Sequence, residues 1–179
     1  MAKSDSFFIR AGVTTNGGTY AQQEIDIGSY VNLGVSKSTL LRVHNIAVQY
    51  ADSNVFSDPI SDATKNMIAF QLCTKSQTEL VYATDKSVVA SGCIAMYNTQ
   101  FAPDGSATDD FATGFISQDL DVAPQMWTNG YLIGCDSLFL GANLHGALDT
   151  GDVTISVVME CTLENATQAN SVALALSQQ

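Results

Sequence analysis

Residues 153–164 read Val153-Thr154-Ile155-Ser156-Val157-Val158-Met159-Glu160-Cys161-Thr162-Leu163-Glu164. In this segment every odd position is apolar, and every even position except Val158 is polar. Side chains of a β-strand point alternately to the two faces of a sheet, so this period of two predicts a strand with one face on a core. We expect a strand of about ten residues here.

The same alternation recurs along the whole chain. Residues Glu24 to Leu33 place Ile25, Ile27, Val31 and Leu33 on one face. Residues Thr39 to Tyr50 are apolar on both faces in places, and their pattern shifts phase near Asn45, which is typical of a bulged or central strand. Seven further segments are predicted as strands: Phe7–Val13, Asn66–Thr74, Glu79–Ala83, Ser87–Tyr97, Phe111–Asp121, Tyr131–Gly141 and Ser171–Leu176.

The fold class follows from these ten predicted strands. Turn-forming segments such as Thr128-Asn129-Gly130 separate them, and only short helical turns are expected, at Asp58–Lys65 or Asn165–Asn170. A length of 179 residues suits one domain. The pattern predicts an all-β protein, a sandwich of two antiparallel sheets, with an immunoglobulin-like fold as the competitor. Long strands and a tryptophan, Trp127, outside the immunoglobulin spacing favour a single jelly-roll domain over residues 1–179, with a short extended N-terminal segment.

Charge is distributed unevenly along the chain. The net charge is −11, and after Lys86 the sequence contains ten Asp and Glu residues but no Lys or Arg. Proteins bind nucleic acid mainly by neutralising phosphates with Lys and Arg. We therefore expect no direct nucleic-acid binding, and partners that are neutral, cationic, metal ions or other copies of the chain.

The surface is predicted to be polar but poor in charge. Only 14% of the residues are charged, against about 25% in a typical soluble domain. A neutral hydroxyl or amide costs much less to bury at an interface than an unpaired charge. The composition therefore favours a protein that packs against copies of itself. An ordinary extracellular β-domain rich in Ser and Thr is the alternative.

Cysteine and histidine give no sign of a metal site. Cys73, Cys93, Cys135 and Cys161 are far apart in the sequence and lie in apolar or alternating segments, so we expect reduced, buried thiols, with disulfides as the alternative. The two histidines, His44 and His145, are 101 residues apart. A cupin-like metal site needs a cluster of histidines with a carboxylate at short spacing, and the sequence has no such cluster. We expect no metal, no cofactor and no catalytic residue.

Two acidic segments carry weak chemical signals. Asp149-Thr150-Gly151 matches the triplet of aspartic proteases, but Asp152 adds a further carboxylate next to it, and the same residues suit a tight turn. Residues 104–110 offer three carboxylates and two hydroxyls, the oxygen ligands that calcium prefers, without the spacing of a twelve-residue calcium loop. We expect a turn at Asp149 and a solvated loop at 104–110, which could hold a bridging cation between subunits.

The order of these segments resembles a known family. The extended start (Phe7-Phe8-Ile9-Arg10-Ala11-Gly12-Val13), the strands Glu24–Leu33 and Leu40–Tyr50, and the closing strand Val153–Leu163 are similar in layout to the single jelly-roll capsid proteins of tailless icosahedral viruses. The resemblance implies a virion protein that assembles with copies of itself. Many such proteins carry a basic N-terminal arm, whereas only Lys3 and Arg10 are basic in the first twenty residues here. Other capsid proteins, an internal membrane or simple confinement would then have to retain the genome.

Two functions therefore remain open from the sequence. The first is a structural capsid subunit without catalytic activity. The second is a binding module on the same sandwich, a carbohydrate-binding domain or receptor-binding knob, in which Trp127, Tyr131 or Tyr97 stacks on a ligand.

Overall fold

The computed structural model describes residues 5–15, 19–33, 37–51, 55, 65–98, 114–145 and 152–178. These residues contain nine strands, one turn of 3-10 helix (Pro124–Met126) and one α-helix, α1 (Gln168–Ser177). The strands are β1 (Phe7–Thr15), β2 (Ala21–Asp26), β3 (Lys37–Ala51), β4 (Lys65–Cys73), β5 (Val88–Asn98), β6 (Gly114–Val122), β7 (Tyr131–Ile133), β8 (Ser137–His145) and β9 (Val153–Thr167).

The strands form two antiparallel sheets. The four-stranded sheet has the order β1-β9-β3-β7, and the five-stranded sheet has the order β2-β8-β4-β5-β6. Among the described strands, the chain changes sheet at every connection except β4–β5 and β5–β6, and β8 and β9 lie between strands from the first half of the chain. This winding is the jelly roll, with β6 added at one edge. The predicted all-β, two-sheet antiparallel sandwich is confirmed.

β9 holds the four-stranded sheet together. It pairs with β1 from Phe7↔Cys161 to Thr15↔Val153, and on its other side with β3 from Lys37↔Thr167 to Ala51↔Thr154. Its odd residues from Val153 to Cys161 are buried, as the alternation predicts. The predicted phase shift in β3 is also confirmed, because the β3–β9 register slips between Val43 and Asn45.

The space between the sheets is filled with apolar side chains. The five-stranded sheet contributes the largest of these from β4 and β8, and the four-stranded sheet contributes residues of β3 and β9. The principal contributors are Ile68, Phe70, Leu72, Leu138, Leu140, Leu41, Val43, Ile155 and Met159. The interior of the sandwich is therefore a packed core.

Two of the ten predicted strands are wrong. Residues 79–83 lie in the β4–β5 connection, because β8 and β5 already occupy both edges of β4. Residues 171–176 belong to α1. The Thr167 hydroxyl accepts a hydrogen bond from the Asn170 amide at 3.4 Å and caps the helix, and alanine and leucine favour helix within it.

Two other predicted strands are shorter or divided. β2 ends at Asp26, whose carboxylate accepts a hydrogen bond from the Gly28 amide at 2.8 Å and starts a turn. Ile25, Ile27 and Val31 are nevertheless buried, as predicted. The segment 131–141 is two strands in different sheets, β7 and β8, with a break at residues 134–136.

The turn at Gly130 presses against the bulge of β3. Gly130 has a φ of +64°, which other residues rarely adopt, and a Cβ there would collide with the Val43 carbonyl oxygen. We expect Gly130→Ala to lower the free energy of unfolding by about 2 kcal/mol or more. Gly12→Ala is the matched control, since its Cβ would meet nothing closer than 3.6 Å. Urea unfolding of both variants measures the difference, and equal stabilities would contradict the packing described.

Candidate assembly surfaces

One edge of the four-stranded sheet is covered by side-chain amides. β7 pairs with only Leu41 to Val43 of β3, so the β3 backbone beyond this point needs other partners. Gln125 supplies them: its side-chain oxygen accepts from the Ile46 amide and its nitrogen donates to the Ile46 carbonyl, both at 3.2 Å. Gln118 donates to the Val48 carbonyl at 3.3 Å. These glutamines take the place of a strand along β3.

The outer edge of β7 is covered in the same way by Gln178. Its side-chain oxygen accepts from the Gly134 amide at 3.0 Å, and its nitrogen donates to the Leu132 carbonyl at 2.6 Å. The Gln178 backbone carbonyl accepts from the Thr74 hydroxyl at 2.6 Å. Gln178 is buried. α1 delivers this residue, and so helps to close the β7 edge.

α1 also covers part of the outer face of this sheet. Ser38 and Leu40 point outward from β3 but are buried, and the Ser171 hydroxyl of the helix donates to the Ser38 hydroxyl at 2.9 Å. Beside the helix, Arg42 makes a two-pronged ion pair with Glu164, with 2.7 Å between Nη2 and Oε2. This hydrogen bond raises the pKa of Arg42. Sequence reasoning missed the pair, because 122 residues separate its members.

The opposite edge of the sheet, β1, is bare. Within the described ranges, no backbone group outside β9 is hydrogen-bonded to β1. The outer face of the strand carries Phe8, which is 55% exposed, and Arg10, whose guanidinium carbon lies 5.7 Å from the Phe8 ring centroid. An unpaired strand edge is a template for another strand. Among the described residues, the sheet therefore has one covered edge and one open edge.

Two grooves lie beside α1. One is on the side of the 3-10 turn, and the other is on the side of β9. The first, of about 540 Å³, is lined by Lys86, Val122, Trp127, Tyr131 and Leu174, among others. Trp127 is 53% exposed there. The second lies over Leu40 and Leu132, with Lys37 and Glu164 at its rim. Of the three predicted aromatic contacts, Trp127 and Tyr131 thus share a groove, and the Tyr97 side chain lies outside the described part.

Of the residues considered for chemistry in the sequence, the structure describes the side chain of His44. His44 lies at the β3 bulge with its Nε2 2.9 Å from the Thr162 hydroxyl, a contact within the sheet. Asp149, the loop 104–110 and the His145 side chain lie outside the described residues. Among the residues described, no three His, Cys, Asp or Glu side chains are placed to hold a metal ion.

The four cysteines are unpaired, as the sequence predicts. Cys73, Cys135 and Cys161 are buried, whereas Cys93 is only partly buried, so the prediction of complete shielding is wrong for this residue. Cys93 lies on the outer face of β5, opposite Asp119 of β6. Burial raises the pKa of Cys73 and Cys135 to about 11 and that of Cys161 to about 12. The thiol form therefore dominates for these three near neutral pH.

Comparison with known proteins gives likeness only at the level of fold. No protein-family model and no curated protein matches the sequence. Solved structures that match include the VP1 proteins of New Jersey polyomavirus (TM-score 0.43, 9% identity, 91% of this chain and 100% of that chain) and of human polyomavirus 12 in complex with 3'-sialyllactosamine (0.41, 9%, 91% and 100%). A third is the Merkel cell polyomavirus virus-like particle (0.40, 8%, 93% and 75%). The assignment of the jelly roll rests on the strand order itself.

Two substitutions test how much the side-chain amide of Gln178 contributes to stability. Gln178→Leu leaves the Gly134 amide and the Leu132 carbonyl without partners, and we expect it to cost about 2 kcal/mol of unfolding free energy. Gln178→Glu should be more stable at pH 5 than at pH 8, because a protonated carboxyl can donate to Leu132 and a carboxylate cannot. Chemical unfolding at both pH values, relative to the unmodified protein, measures this. A pH-independent loss for Gln178→Glu would contradict the proposed role of the donor.

Proposed function

We propose that the chain is the structural subunit of a viral capsid, a virion protein whose function is to assemble with copies of itself. The observation that carries the proposal is the contrast between the two edges of the four-stranded sheet. Glutamine side chains and α1 occupy the β3 and β7 edge, while the nine-residue edge of β1 has no partner in the described part of the chain and Phe8 is exposed beside it. A protein that stays monomeric gains from protecting every long edge.

The apolar interior supports a structural role for the domain rather than a catalytic one. Jelly rolls serve as capsid domains, lectins and metal-binding cupins. Cupin chemistry takes place between the sheets, and here Phe70, Leu140 and Met159 belong to an apolar core that fills that space. Contacts made by this domain therefore occur on its outside. We propose that one jelly-roll domain makes these contacts.

Charge sets the conditions for assembly. Each subunit carries −11, so copies repel one another unless salt screens the charge or a cation bridges it. The acidic segment 104–110 is the candidate for such a cation, and its oxygen-rich composition suits calcium. We propose no direct contact with the genome, since the net charge is −11 and no Lys or Arg follows Lys86. Other capsid proteins or an internal membrane are the further partners compatible with this scheme.

Sedimentation velocity with negative-stain imaging tests the proposal. Raising the ionic strength or adding millimolar calcium should convert small species to closed shells or lattices, because both weaken repulsion between acidic subunits. Phe8→Ser should shift this transition to higher protein concentration, because it removes an apolar contact at the open edge. Tyr82→Ser is the matched control, an exposed aromatic away from β1.

Two results would contradict these expectations. A protein that stays monomeric at high concentration in every salt and calcium condition does not have this function. If assembly responds equally to Phe8→Ser and Tyr82→Ser, the edge of β1 is not an assembly contact, although the protein still assembles with itself.

One observation favours the second candidate, a carbohydrate-binding module. Trp127 and Tyr131 line a common groove, as a platform for a sugar ring requires. However, two of the polar side chains that line this groove are already engaged: the Gln178 amide bonds to β7, and the Ser177 hydroxyl donates to the Leu174 carbonyl at 2.7 Å. Glycan titration monitored by Trp127 fluorescence, with Trp127→Phe as control, tests this alternative.

A further inference from the structure

α1 exposes an apolar stripe along its outer side. Ala169, Val172, Ala173 and Leu176 are all exposed, with Val172 at 45% and Leu176 at 67%. Their spacing of three, one and three residues places them on one face of a helix. The opposite side of α1, which includes Ser171 and Gln178, contacts the sheets. The stripe is thus a second face, which the chain itself does not cover within the described residues.

A groove lies directly beside this stripe. It runs between α1, the 3-10 turn and the β4–β5 connection, and its apolar lining includes Val88, Val122 and Trp127. Ser177, the residue after Leu176, lines the same groove. Ridge and groove are therefore neighbours on one surface, an arrangement that is self-complementary when two copies are related by a two-fold axis.

The lack of charge on α1 favours a second copy of the chain as the occupant. Residues 165–179 contain no Asp, Glu, Lys, Arg or His, although the chain as a whole carries −11. A second copy can approach α1 without bringing carboxylates together at the helix contact, and two antiparallel helices also oppose their dipoles favourably. The small residues Ala169 and Ala173 allow two helix axes to come close.

We propose that α1 is the contact of a symmetric dimer, in which the apolar stripe of each copy packs against the stripe and the Trp127 groove of the other. This deepens the self-assembly proposed above by assigning it a second surface, distinct from β1. The dimer can form with or without a shell, so each can fail independently of the other.

A membrane is the competing occupant of such a stripe. Helices that bind membrane surfaces usually carry Lys and Arg on their polar face, and α1 carries none. No helix among the described residues is long and apolar enough to cross a bilayer. The lack of basic residues therefore disfavours a lipid surface, and the uncharged flanks of α1 allow a second copy of the helix to approach.

Cross-linking tests the symmetry of the contact. Ala173 lies near the middle of the stripe, so an antiparallel pair places it close to its own counterpart. Ala173→Cys should form a disulfide-linked dimer under mild oxidation, whereas Asn170→Cys, exposed on the flank of the helix, should form several-fold less. The unmodified protein gives the background from Cys93. Equal yields from both variants would overturn the two-fold arrangement.

A double variant tests the energetics. Val172→Gln with Leu176→Gln keeps the helix neutral and should weaken dimerisation about tenfold or more in sedimentation equilibrium at low protein concentration. Phe8→Ser should leave the dimer unchanged, which separates this contact from the β1 edge. The proposal would be overturned if the double variant has an unchanged dimer dissociation constant. It would also be overturned if the only effect of the double variant is a loss of binding to neutral lipid vesicles.

Discussion

The two ladders of β9 are the interaction on which the rest of the structure depends. β9 is 15 residues long and pairs with β1 on one side and with β3 on the other, so it joins the first strand of the fold to the third. Without β9, β1 would have no neighbour in its sheet, and the four-stranded sheet would be reduced to β3 and the three-residue β7. Its five buried odd residues from Val153 to Cys161 also supply one wall of the core. β1 takes its position from this strand, and α1 follows it directly in the chain.

Uncharged polar side chains are used in this protein where other proteins use additional strands. Gln125, Gln71 and Gln178 each offer a carbonyl and an amide to backbone groups, as a neighbouring strand would. Gln71 does so for both backbone groups of Val81, at 2.7 and 2.9 Å. This use explains part of the unusual composition, in which amides and hydroxyls are common and charges are few. Within the four-stranded sheet it also separates the β3 and β7 edge from β1, along which no such side chain is found among the described residues.

The sequence predicted most of the fold because most strands have one face on the core and one face outward. Such strands show alternating apolar and polar residues. Alternation located β9 and β1, and the phase shift near Asn45 located the bulge, since each depends only on side chains next to one another in the sequence. It failed at residues 79–83, which connect β4 to β5, and at residues 171–176, which form part of α1, because short apolar segments fit a strand, a loop or a helix equally well. The alternation pattern could not predict the assembly surfaces. Arg42 contacts Glu164, and Gln178 contacts Gly134, only after the chain has folded.

The central claim is that the open edge of β1 becomes an interface when copies assemble. Amide hydrogen exchange, measured by mass spectrometry on the protein before and after assembly in high salt or calcium, tests it most directly. The account predicts that peptides covering residues 7–14 gain protection on assembly, while peptides from β3 and β7 change little, because glutamine side chains already bond to their edges. Assembled particles in which residues 7–14 exchange as fast as in the free subunit would contradict the claim.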